Sequence, residues 1–560
     1  MNRALKTVSA LLLGVAILVF VGYFLIYLRY TVALLQFPFD YDQGEGFELN
    51  DSVLFARGQW PYQSNEVYPF YASNYPPLYH LFLVPFVWIF GPAYWYGRLF
   101  SFLSTLVTAA AIGYAIHRQY HDKPIAVLAA LSFLASNYVY HIGPLFRQHI
   151  SMVMFETLAI VILAPLSRAR AVPNRDERTR FFFGLLFLLA AGYTKQLAYA
   201  TAAVGLLFIL TRGLKRGLIA AAIFIAVAGA IFGLINIATG GQWWINIILA
   251  NINEFIPGQM QGLYLQWYDL HLVLIWLAAV WVILVIARAR RARSECNSGG
   301  FLYALWFVAA AANAALAGKW GAGESYFMTA IAAMCICAGL LIAEWRARAG
   351  GWDAAMRGAD FPVRPLLIAK WRAIQWATAL AIPFLLIAQS ARLIHMPTQG
   401  RLFAPIARVL NLPTDSPYFD AQGYTQTGRP PNSIDIEQGY KILAYTRAAA
   451  GPVMTEEAAF SLLAGKEQVG NPTQLLNLAK NSMLDSSAMV DMINRRAFDI
   501  IVLKAEFYPR PVLIAIGQNY EPVETIIMNG FDYRILKPRP NPSNDPNPLF
   551  QPPRGDTYAP

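Results

Sequence analysis

The chain has 560 residues, of which 57% are hydrophobic and 14% are charged, and its formal net charge is +11. Soluble proteins carry about 25% charged residues, so this composition indicates a polytopic membrane protein and excludes a large soluble enzyme. The positive charge does not indicate a nucleic-acid partner, because no basic stripe is interleaved with stacking aromatic residues.

The N-terminal segment predicts a first membrane helix. Its apolar stretch, Val8 to Leu28, is long enough to span a bilayer and too long for the core of a signal peptide. Further apolar runs lie at residues 98–116, 125–144, 150–166, 181–198, 199–211, 217–238, 271–287, 301–317, 326–344 and 372–391. The expected fold class is therefore a mainly α polytopic membrane protein with about eleven transmembrane helices.

The connections between these runs predict the topology. In an eleven-helix count the basic connections share one side: residues 117–123, 168–180, 211–216, 288–295 and 346–372. Because Lys and Arg are enriched in cytoplasmic loops, we assign this side to the cytoplasm. We expect a multi-pass protein of the cytoplasmic (inner) membrane, with its N-terminus in the cytoplasm. Residues 31–97, called here the first outer loop, then face outward.

The composition changes after about residue 393, where no run long enough to span a membrane remains. We therefore predict a membrane domain at residues 1–392 and an extracytoplasmic α/β domain at residues 393–537. A Pro- and Asn-rich tail follows at residues 538–560.

Local patterns predict the elements of the α/β domain. Residues 433–465 favour a helix, a strand and a second helix, and residues 494–507 and 520–537 contain strand-like β-branched runs. Thr455 followed by two glutamates is interpreted as an ordinary N-cap of the second helix.

Carboxylates are concentrated where the chain leaves the first span. Residues 40–49, DYDQGEGFEL, contain Asp40, Asp42, Glu45 and Glu48. One interpretation is that they are solvated helix caps, which we expect of Glu48 and Asp51. The other is an active site, which Gly44 and Gly46 favour because glycine permits close approach of a ligand to the backbone.

Charged residues recur at the outer ends of the predicted spans. They are Arg98, Arg147, His149, Lys195, Lys319 and Glu324. Ionisable groups at membrane depth are costly and usually face a polar cavity, although any single one can be a snorkelling anchor. Four outward cations opposite one carboxylate-rich loop predict a basic patch for an anionic lipid headgroup beside a carboxylate base.

Aromatic residues accompany this cluster in YPFYASNYPPLYHLF, residues 68–82. We expect a short helix from Pro77 to Phe90 that lies along the membrane surface. Tyr75 and Tyr79 are expected either to line a sugar or prenyl-chain pocket or to anchor the chain at the interface.

An ordered set of segments resembles the integral membrane glycosyltransferases of the GT-C fold. The segments are YDQGE (41–45), ARGQWPY (56–62), NYPPLYH (74–80), FGPAYWYGRLFS (90–101), TKQ (194–196), GGQWWINIILANINEF (240–255) and KWGAGESYF (319–327). The resemblance covers roughly residues 10–345 and is to the family 39 group of protein O-mannosyltransferases and aminoarabinose transferases. It implies transfer of a sugar from a polyprenyl-phosphate donor to an extracytoplasmic glycan, lipid or protein, with inversion at the anomeric centre.

The resemblance also implies roles for individual residues. The acceptor-activating Asp of the family matches Asp42, with Gln43 where a Glu often follows. Glu45, the next carboxylate, is expected to support Asp42, or to bind the acceptor or a divalent cation (Mg²⁺ or Mn²⁺) together with Asp42. The expected phosphate contacts are Arg98, Lys195, Arg147 and Lys319, and the expected pocket residues are Tyr75, Tyr79, His149 and Glu324.

Alternatives remain open at this point. Many relatives carry an Asp after an Arg in the second outer loop, whereas this chain has His149 after Arg147. That departure and Gln43 leave room for a non-catalytic accessory protein. A transporter of lipid-linked glycans would use the same cations, although it would usually show repeat symmetry, which we do not find. A retaining mechanism that uses Asp42 and Glu45 is also open.

Overall fold

The computed structural model describes residues 3–166, 175–291, 299–355, 380–388, 390, 408 and 428–541. Fourteen α-helices precede residue 356 in this part of the chain. They are α1 (Arg3–Gln36), α2 (Gln43–Ala56), α3 (Leu78–Phe90), α4 (Trp95–Tyr120), α5 (Lys123–Leu134), α6 (Asn137–Ile142), α7 (His149–Leu163), α8 (Arg175–Thr194), α9 (Tyr199–Arg212), α10 (Leu214–Ala238), α11 (Gln242–Ile247), α12 (Pro257–Arg291), α13 (Gly299–Asn313) and α14 (Met328–Ala355).

The chain is a multi-pass membrane protein. Among the described residues, six helical segments are long and apolar enough to cross a membrane, and they correspond to α1, α4, α10, α12, α13 and α14. Shorter apolar helices include α3, α5, α7 and α9. The predicted count of eleven spans is therefore not confirmed. Most of the eleventh predicted run, residues 372–391, lies outside the described residues, although residues 380–388 are helical.

One predicted span differs in detail. Residues 125–144 form two helices, α5 and α6, because the chain turns at Ser136, whose ψ of 134° is extended. The Ser136 hydroxyl lies 2.8 Å from His271 Nε2, at a kink in α12. The turn at Ser136 and the kink at His271 thus meet at one polar contact. This contact gives each of the two buried side chains a hydrogen-bond partner.

The centre of the helical assembly is α14. Its most apolar window is 94% buried, against 28% for α1 and 11% for α10. A helix that is apolar on all sides is stable only when neighbours cover every face. This burial explains why Cys335 and Cys337 are buried free thiols rather than surface residues.

The first outer loop contains two of the helices. The predicted helix at Pro77–Phe90 is confirmed as α3, which begins after Pro77 and ends at Gly91, where φ is +70°. The preceding helix, α2, begins after Asp42 and is buried along most of its first three turns. Burial on nearly all sides distinguishes α2 from the amphipathic surface helix that its charged residues indicate.

The C-terminal region has the α/β elements that the sequence predicts. Helices Ser433–Ala448 and Ala459–Leu462 flank strand β1 (Val453–Thr455), and helices Pro472–Lys480, Ser487–Asn494 and Arg510–Asn519 follow. The other strands are β2 (Ile500–Leu503), β3 (Tyr520–Met528) and β4 (Phe531–Pro538). The sheet order is β1-β2-β4-β3, with β1 and β2 parallel and the other pairs antiparallel.

The hairpin between β3 and β4 follows directly from the sequence. Its two-residue loop is Asn529–Gly530, and both residues have positive φ, 49° and 79°. Asn-Gly is the preferred pair for this turn because both residues tolerate the left-handed region. The α/β region packs on the first outer loop through an aromatic contact, in which the rings of Phe39 and Phe460 stack at 5.5 Å.

Candidate active site

A polar cavity of about 250 Å³ lies between the first outer loop, the outer ends of the membrane helices and the α/β region. Five residues predicted from the sequence line it: Asp42, Tyr75, Arg147, Lys195 and Lys319. These residues come from four separated stretches of chain. The structure therefore brings together one carboxylate, one tyrosine and three cations around a single space.

Asp42 lies where the chain enters α2, with φ −115° and ψ 129°. Its Oδ2 is 3.4 Å from Arg147 Nε, and both side chains are partly exposed to the cavity. Burial raises the pKa of Asp42, and the positive charge of Arg147 opposes that shift. Arg147 thus favours the ionised form of Asp42, whereas burial of Asp42 disfavours that form.

Gly44 explains how Arg147 reaches this position. A Cβ atom placed on Gly44 would collide with the Arg147 guanidinium. The sequence indicated that glycine here allows close approach to the backbone, and the structure shows that the approaching group is a cation of the protein itself.

Lys195 is buried against aromatic rings. Its Nζ lies 5.2 Å from the ring centroid of Tyr75 and 4.9 Å from that of Tyr326. His149 Nδ1 is 2.5 Å from the same Nζ. An ammonium only donates hydrogen bonds, so this contact requires an unprotonated Nδ1 on His149. His149 does not line the cavity; it holds the lysine that does.

Lys319 lies in a turn whose backbone is fixed by one glutamine. Gln259 Nε2 donates to the carbonyl oxygens of Ala317, Lys319 and Ala322 at 2.6, 3.0 and 2.9 Å. Phe255 and Lys319 also form a β-bridge. The turn is therefore held at the cavity wall without using the Lys319 ammonium.

Glu45 and Arg98 form a buried ion pair away from the cavity. Arg98 Nε and Nη2 donate to the two Glu45 oxygens at 2.9 and 2.6 Å, and both side chains are fully buried. Arg98 also donates to the carbonyls of Leu34 and Phe39 at 2.6 and 2.7 Å and to that of Phe37. Its donors are directed at protein acceptors and it does not line the cavity, so the structure does not support the phosphate contact predicted for Arg98.

The same geometry bears on the role predicted for Glu45. Its oxygens accept the backbone N–H groups of Tyr41 and Phe146 at 2.9 and 2.7 Å, besides the two bonds from Arg98. Burial alone would raise the pKa of Glu45, but Arg98 and these donors outweigh it and hold the pKa below its ordinary value. Glu45 is engaged by these donors and does not line the cavity, so the structure does not support the role predicted for it beside Asp42.

Two other predicted pocket residues also face the protein interior. Tyr79 is buried and its hydroxyl donates to the Gly97 carbonyl at 3.3 Å. Glu324 lies 2.6 Å from His141 Nδ1. Neither side chain lines the cavity, so the pocket roles predicted for Tyr79 and Glu324 are not supported by the structure.

Glu48 and Asp51 are buried, not solvated caps as expected. His80 Nε2 lies 2.6 Å from Glu48 and 3.5 Å from Asp51, and Tyr71 and Ser73 donate to Asp51. Burial raises the pKa of Asp51 to about 7. The three ligand-type atoms lie within 4.8 Å of one another, a spacing compatible with a metal. Glu48 and Asp51 already have protein hydrogen-bond partners, whereas His80 Nδ1 is buried without one among the described residues, and we derive no step through a metal.

The α/β region contributes residues that the sequence did not indicate. Asn471, Thr473 and Phe507 line the cavity together with Trp320, whose ring centroid lies 6.4 Å from that of Phe507. The interpretation of Thr455 as a helix cap is wrong, because Thr455 belongs to β1 and the following helix begins only at Ala459. The sequence signal that could have indicated this region is the pair of glutamates, Glu456 and Glu457, directly after the buried strand β1.

A second cavity is apolar and has a volume of about 690 Å³. It lies between α2, α3, α7, α8 and α10, and its wall includes Phe55, Leu78, Phe82, Phe187 and Ile235. Pro77, in the same wall, follows Tyr75 of the polar cavity by two residues. The second cavity is called here the apolar groove. One short stretch of chain, from Tyr75 to Pro77, thus lines both the polar cavity and the apolar groove.

Comparison with known proteins identifies the fold. Residues 74–243 match the family model described as dolichyl-phosphate-mannose-protein mannosyltransferase. No curated protein sequence matches the chain. The structure is similar to that of ArnT from Cupriavidus metallidurans bound to undecaprenyl phosphate, with 16% identity and a TM-score of 0.54, over 92% of this chain and 97% of that chain.

Two further structures are similar. ArnT from the same organism in the apo state has 15% identity and a TM-score of 0.53, over 95% of this chain and 98% of that chain. The oligosaccharyltransferase AglB from Archaeoglobus fulgidus, in complex with an inhibitory peptide and a dolichol-phosphate, has 12% identity and a TM-score of 0.49, over 94% of this chain and 74% of that chain.

The class of protein follows from these findings. The chain is a multi-pass membrane protein with the GT-C fold, as its similarity to both ArnT structures shows. The match to the mannosyltransferase model then confirms the resemblance to the family 39 group that the sequence segments indicated.

Proposed function

We propose that this protein is an inverting glycosyltransferase that moves a sugar from a polyprenyl-phosphate donor to an acceptor hydroxyl outside the cytoplasmic membrane. The observation that carries the proposal is the single cavity in which Asp42 faces Arg147, Lys195 and Lys319. A carboxylate suits a general base, and three cations suit a phosphate leaving group.

The chemistry requires one base and one anion site. Asp42 takes the proton of the acceptor hydroxyl, and the oxygen of that hydroxyl forms a bond to the anomeric carbon. The bond from that carbon to the phosphate oxygen breaks, and the electron pair leaves with the polyprenyl phosphate. The cations stabilise the charge that develops on this leaving group. Direct attack from the face opposite the phosphate inverts the anomeric centre.

The arrangement of carboxylates favours inversion over retention. A retaining enzyme places a second, nucleophilic carboxylate about 5 Å from the first. Glu45 faces Arg98 and not the cavity. Among the described residues that line the cavity, the other carboxylate is Glu48, which is hydrogen-bonded to His80 at 2.6 Å. Asp42 is therefore assigned as base and no covalent intermediate is invoked.

The apolar groove suits the prenyl chain of the donor. Its lining residues are almost all apolar, and several, including Leu81, Phe82 and Leu186, are exposed by more than 40%. Exposed apolar surface of this kind is stable against lipid tails. A donor whose phosphate lies at Lys195 would place its prenyl chain along α3, past Pro77.

The orientation rests on charge. The basic connections predicted to be cytoplasmic include Arg118, Arg288 and Arg346, of which Arg288 pairs with Glu344 and Arg346 with Asp122. The polar cavity lies at the opposite ends of these helices, beside His149, Lys195 and Lys319. The positive-inside bias therefore supports an orientation in which the cavity and the α/β region lie outside the cytoplasm.

The test is sugar transfer by the purified full-length protein in lipid nanodiscs, supplied with radiolabelled polyprenyl-phosphate sugars and a cell-extract acceptor fraction. We expect transfer by the wild type, and loss of transfer with donor binding retained in Asp42→Asn. Glu437→Gln, an exposed carboxylate paired with Lys441 on the surface, is the matched control and is expected to transfer normally.

Two results would contradict the proposal. Turnover in Asp42→Asn equal to wild type would remove Asp42 as base. Absence of turnover with every donor would favour a transporter or an accessory protein, and movement of the labelled donor across liposome membranes would separate those two.

A further inference from the structure

The wall of the polar cavity has two chemically different halves. Its cations, Arg147, Lys195 and Lys319, all belong to the helical region. The α/β region contributes Asn471 and Thr473 at the start of one helix and Phe507 in one turn, and these three residues are uncharged. The second half, together with Trp320, is called here the neutral wall.

Phe507 is held in place by a buried glutamate. The two oxygens of Glu456 accept the backbone N–H groups of all four residues in the turn 504–507, at 2.6, 2.9, 3.1 and 2.7 Å. Glu457, next in the chain, pairs with Lys504 at 2.6 Å and accepts from Tyr533 at 2.8 Å. The turn that carries Phe507 is thus fixed by charge-assisted bonds, which are the stronger class of hydrogen bond.

The same segment is attached to the chain that carries Asp42. Gln43 Nε2 donates to the Glu456 carbonyl at 3.5 Å, and Asp40 Oδ2 accepts from Ala459 N at 2.8 Å. Burial, followed by repulsion from Glu457, raises the pKa of Asp40. Phe507 and the proposed base therefore belong to one connected network, although 465 residues separate Phe507 from Asp42 in the sequence.

The other part of the neutral wall is attached to the helical region. Asn471 Oδ1 accepts from Gln474 N at 3.3 Å and caps helix Pro472–Lys480. The same helix is fixed by Gln474, which donates to Asn246 at 2.6 Å, and by Asn477, which donates to the Ala250 carbonyl at 2.5 Å.

Trp320 completes this wall. Its ring packs edge-on against Phe507, with the two centroids 6.4 Å apart, and Lys480 Nζ lies 4.4 Å from the indole centroid. Aromatic faces pack against the C–H groups of a pyranose, while amide and hydroxyl groups exchange hydrogen bonds with its hydroxyls. A neutral wall with these groups suits a sugar better than an anion or a cation.

We propose that the neutral wall is the acceptor subsite and that it takes a neutral sugar, whose hydroxyl is presented to Asp42. This inference rests on the proposed glycosyl transfer. The cavity of about 250 Å³ is slightly smaller than usual ligand pockets of about 300–1,000 Å³, so it suits a terminal sugar unit better than a folded polypeptide. Thr473 and Asn471 bind its hydroxyls, and Phe507 and Trp320 bind its apolar face.

The binding test uses the full-length protein in nanodiscs without donor. Saturation-transfer NMR is recorded with three probes: a panel of neutral methyl glycosides, a hexose phosphate and a short Ser/Thr peptide. We expect signals from at least one neutral glycoside, and a roughly tenfold weaker affinity for it in Thr473→Val and in Phe507→Ala. Thr473→Ser, which keeps the hydroxyl, is expected to retain wild-type affinity.

Controls separate this inference from the proposed function. Val523→Ala, on an exposed position of β3, is expected to bind the glycoside as the wild type does. Donor binding is measured in parallel and is expected to be the same in Thr473→Val as in wild type. Glycoside binding that weakens in Thr473→Val without any sugar transfer in the wild type would leave the subsite standing and contradict the transferase.

Other outcomes overturn the inference. Preferred binding of the peptide or the hexose phosphate would do so. Sugar transfer by a wild-type protein that binds no neutral glycoside would also overturn it. Unchanged glycoside affinities in Thr473→Val and Phe507→Ala would overturn it as well.

Discussion

Two carboxylates one helical turn apart, Asp42 and Glu45, have opposite environments. Glu45 is fully buried and receives two bonds from Arg98 and further bonds from backbone N–H groups. Asp42 faces the cavity and pairs with Arg147 at 3.4 Å. The comparison teaches that a carboxylate's partners, and not its position in a charged cluster, decide whether it supports the fold or reacts with a ligand.

The surroundings of Glu45 and of Asp42 also differ in whether their cations could bind a phosphate. The guanidinium of Arg98 is directed at Glu45 and at three carbonyls, so binding a phosphate there would require breaking a buried ion pair. Arg147 and Lys195 line the cavity, so a phosphate bound there would not break the Glu45–Arg98 pair. Each of the following changes tests this contrast.

The largest effect is expected for the proposed base. Asp42→Asn keeps the size and shape of the side chain but removes its basicity, so we expect kcat to fall by about 10²–10⁴-fold. Thermal unfolding should remain close to wild type, because Asp42 is not part of the buried ion pair. Single-turnover sugar transfer and a melting curve on the same preparation measure both quantities.

The next effect is on stability. Arg98→Ala leaves Glu45 buried without its cation, and removal of one partner of a buried pair costs roughly 3–5 kcal/mol. We expect a marked loss of folded protein in thermal unfolding. Arg57→Ala, at the exposed arginine that follows α2, is the control and should change stability by less than about 0.5 kcal/mol. A stable Arg98→Ala protein that fails to bind donor would instead restore the phosphate role of Arg98.

A smaller effect is expected for Lys195. Lys195→Met preserves the apolar stem and removes the charge, and a hydrogen bond to a charged group contributes about 1.5–3 kcal/mol. We expect donor affinity to weaken by about 10–100-fold, measured by equilibrium binding of labelled donor. A matched change at Lys215, in the first turn of α10, should leave donor affinity unchanged. Equal losses in both variants would indicate a general effect of net charge.

The smallest effect is a shift along the pH axis. Asp42 acts as a base only when ionised, so activity falls as the pH drops through its pKa. Burial raises that pKa and Arg147 lowers it. Arg147→Gln removes the lowering charge, so the acidic limb of kcat/KM should move to higher pH. A profile whose acidic limb moves to lower pH, or does not move, would separate Arg147 from the base.

Local pattern predicted much of the architecture. Apolar runs located most of the helices, and β-branched runs located strands of the α/β region. The position of α3 followed from the Pro76–Pro77 pair and Gly91. These features depend on neighbouring residues, so they can be read without knowledge of distant contacts.

Half of the predicted site residues line the cavity, and the other half do not. Asp42, Arg147 and Lys195 were identified correctly as neighbours, whereas Arg98 was not. Arg98 and Lys195 look alike in sequence, since each is a lone cation near the outer end of an apolar run. Only the position of Glu45, 53 residues away from Arg98, distinguishes them.

The sequence by itself determined the class of protein, the order of its elements and the residue types available for chemistry, because composition and periodicity are local properties. The tertiary structure alone decided which charges are satisfied. It paired Glu45 with Arg98, buried Glu48 against His80, and used Glu456 to hold the turn that brings Phe507 to the cavity. The physical reason is that a buried charge is stable only with partners, and here those partners come from distant parts of the chain.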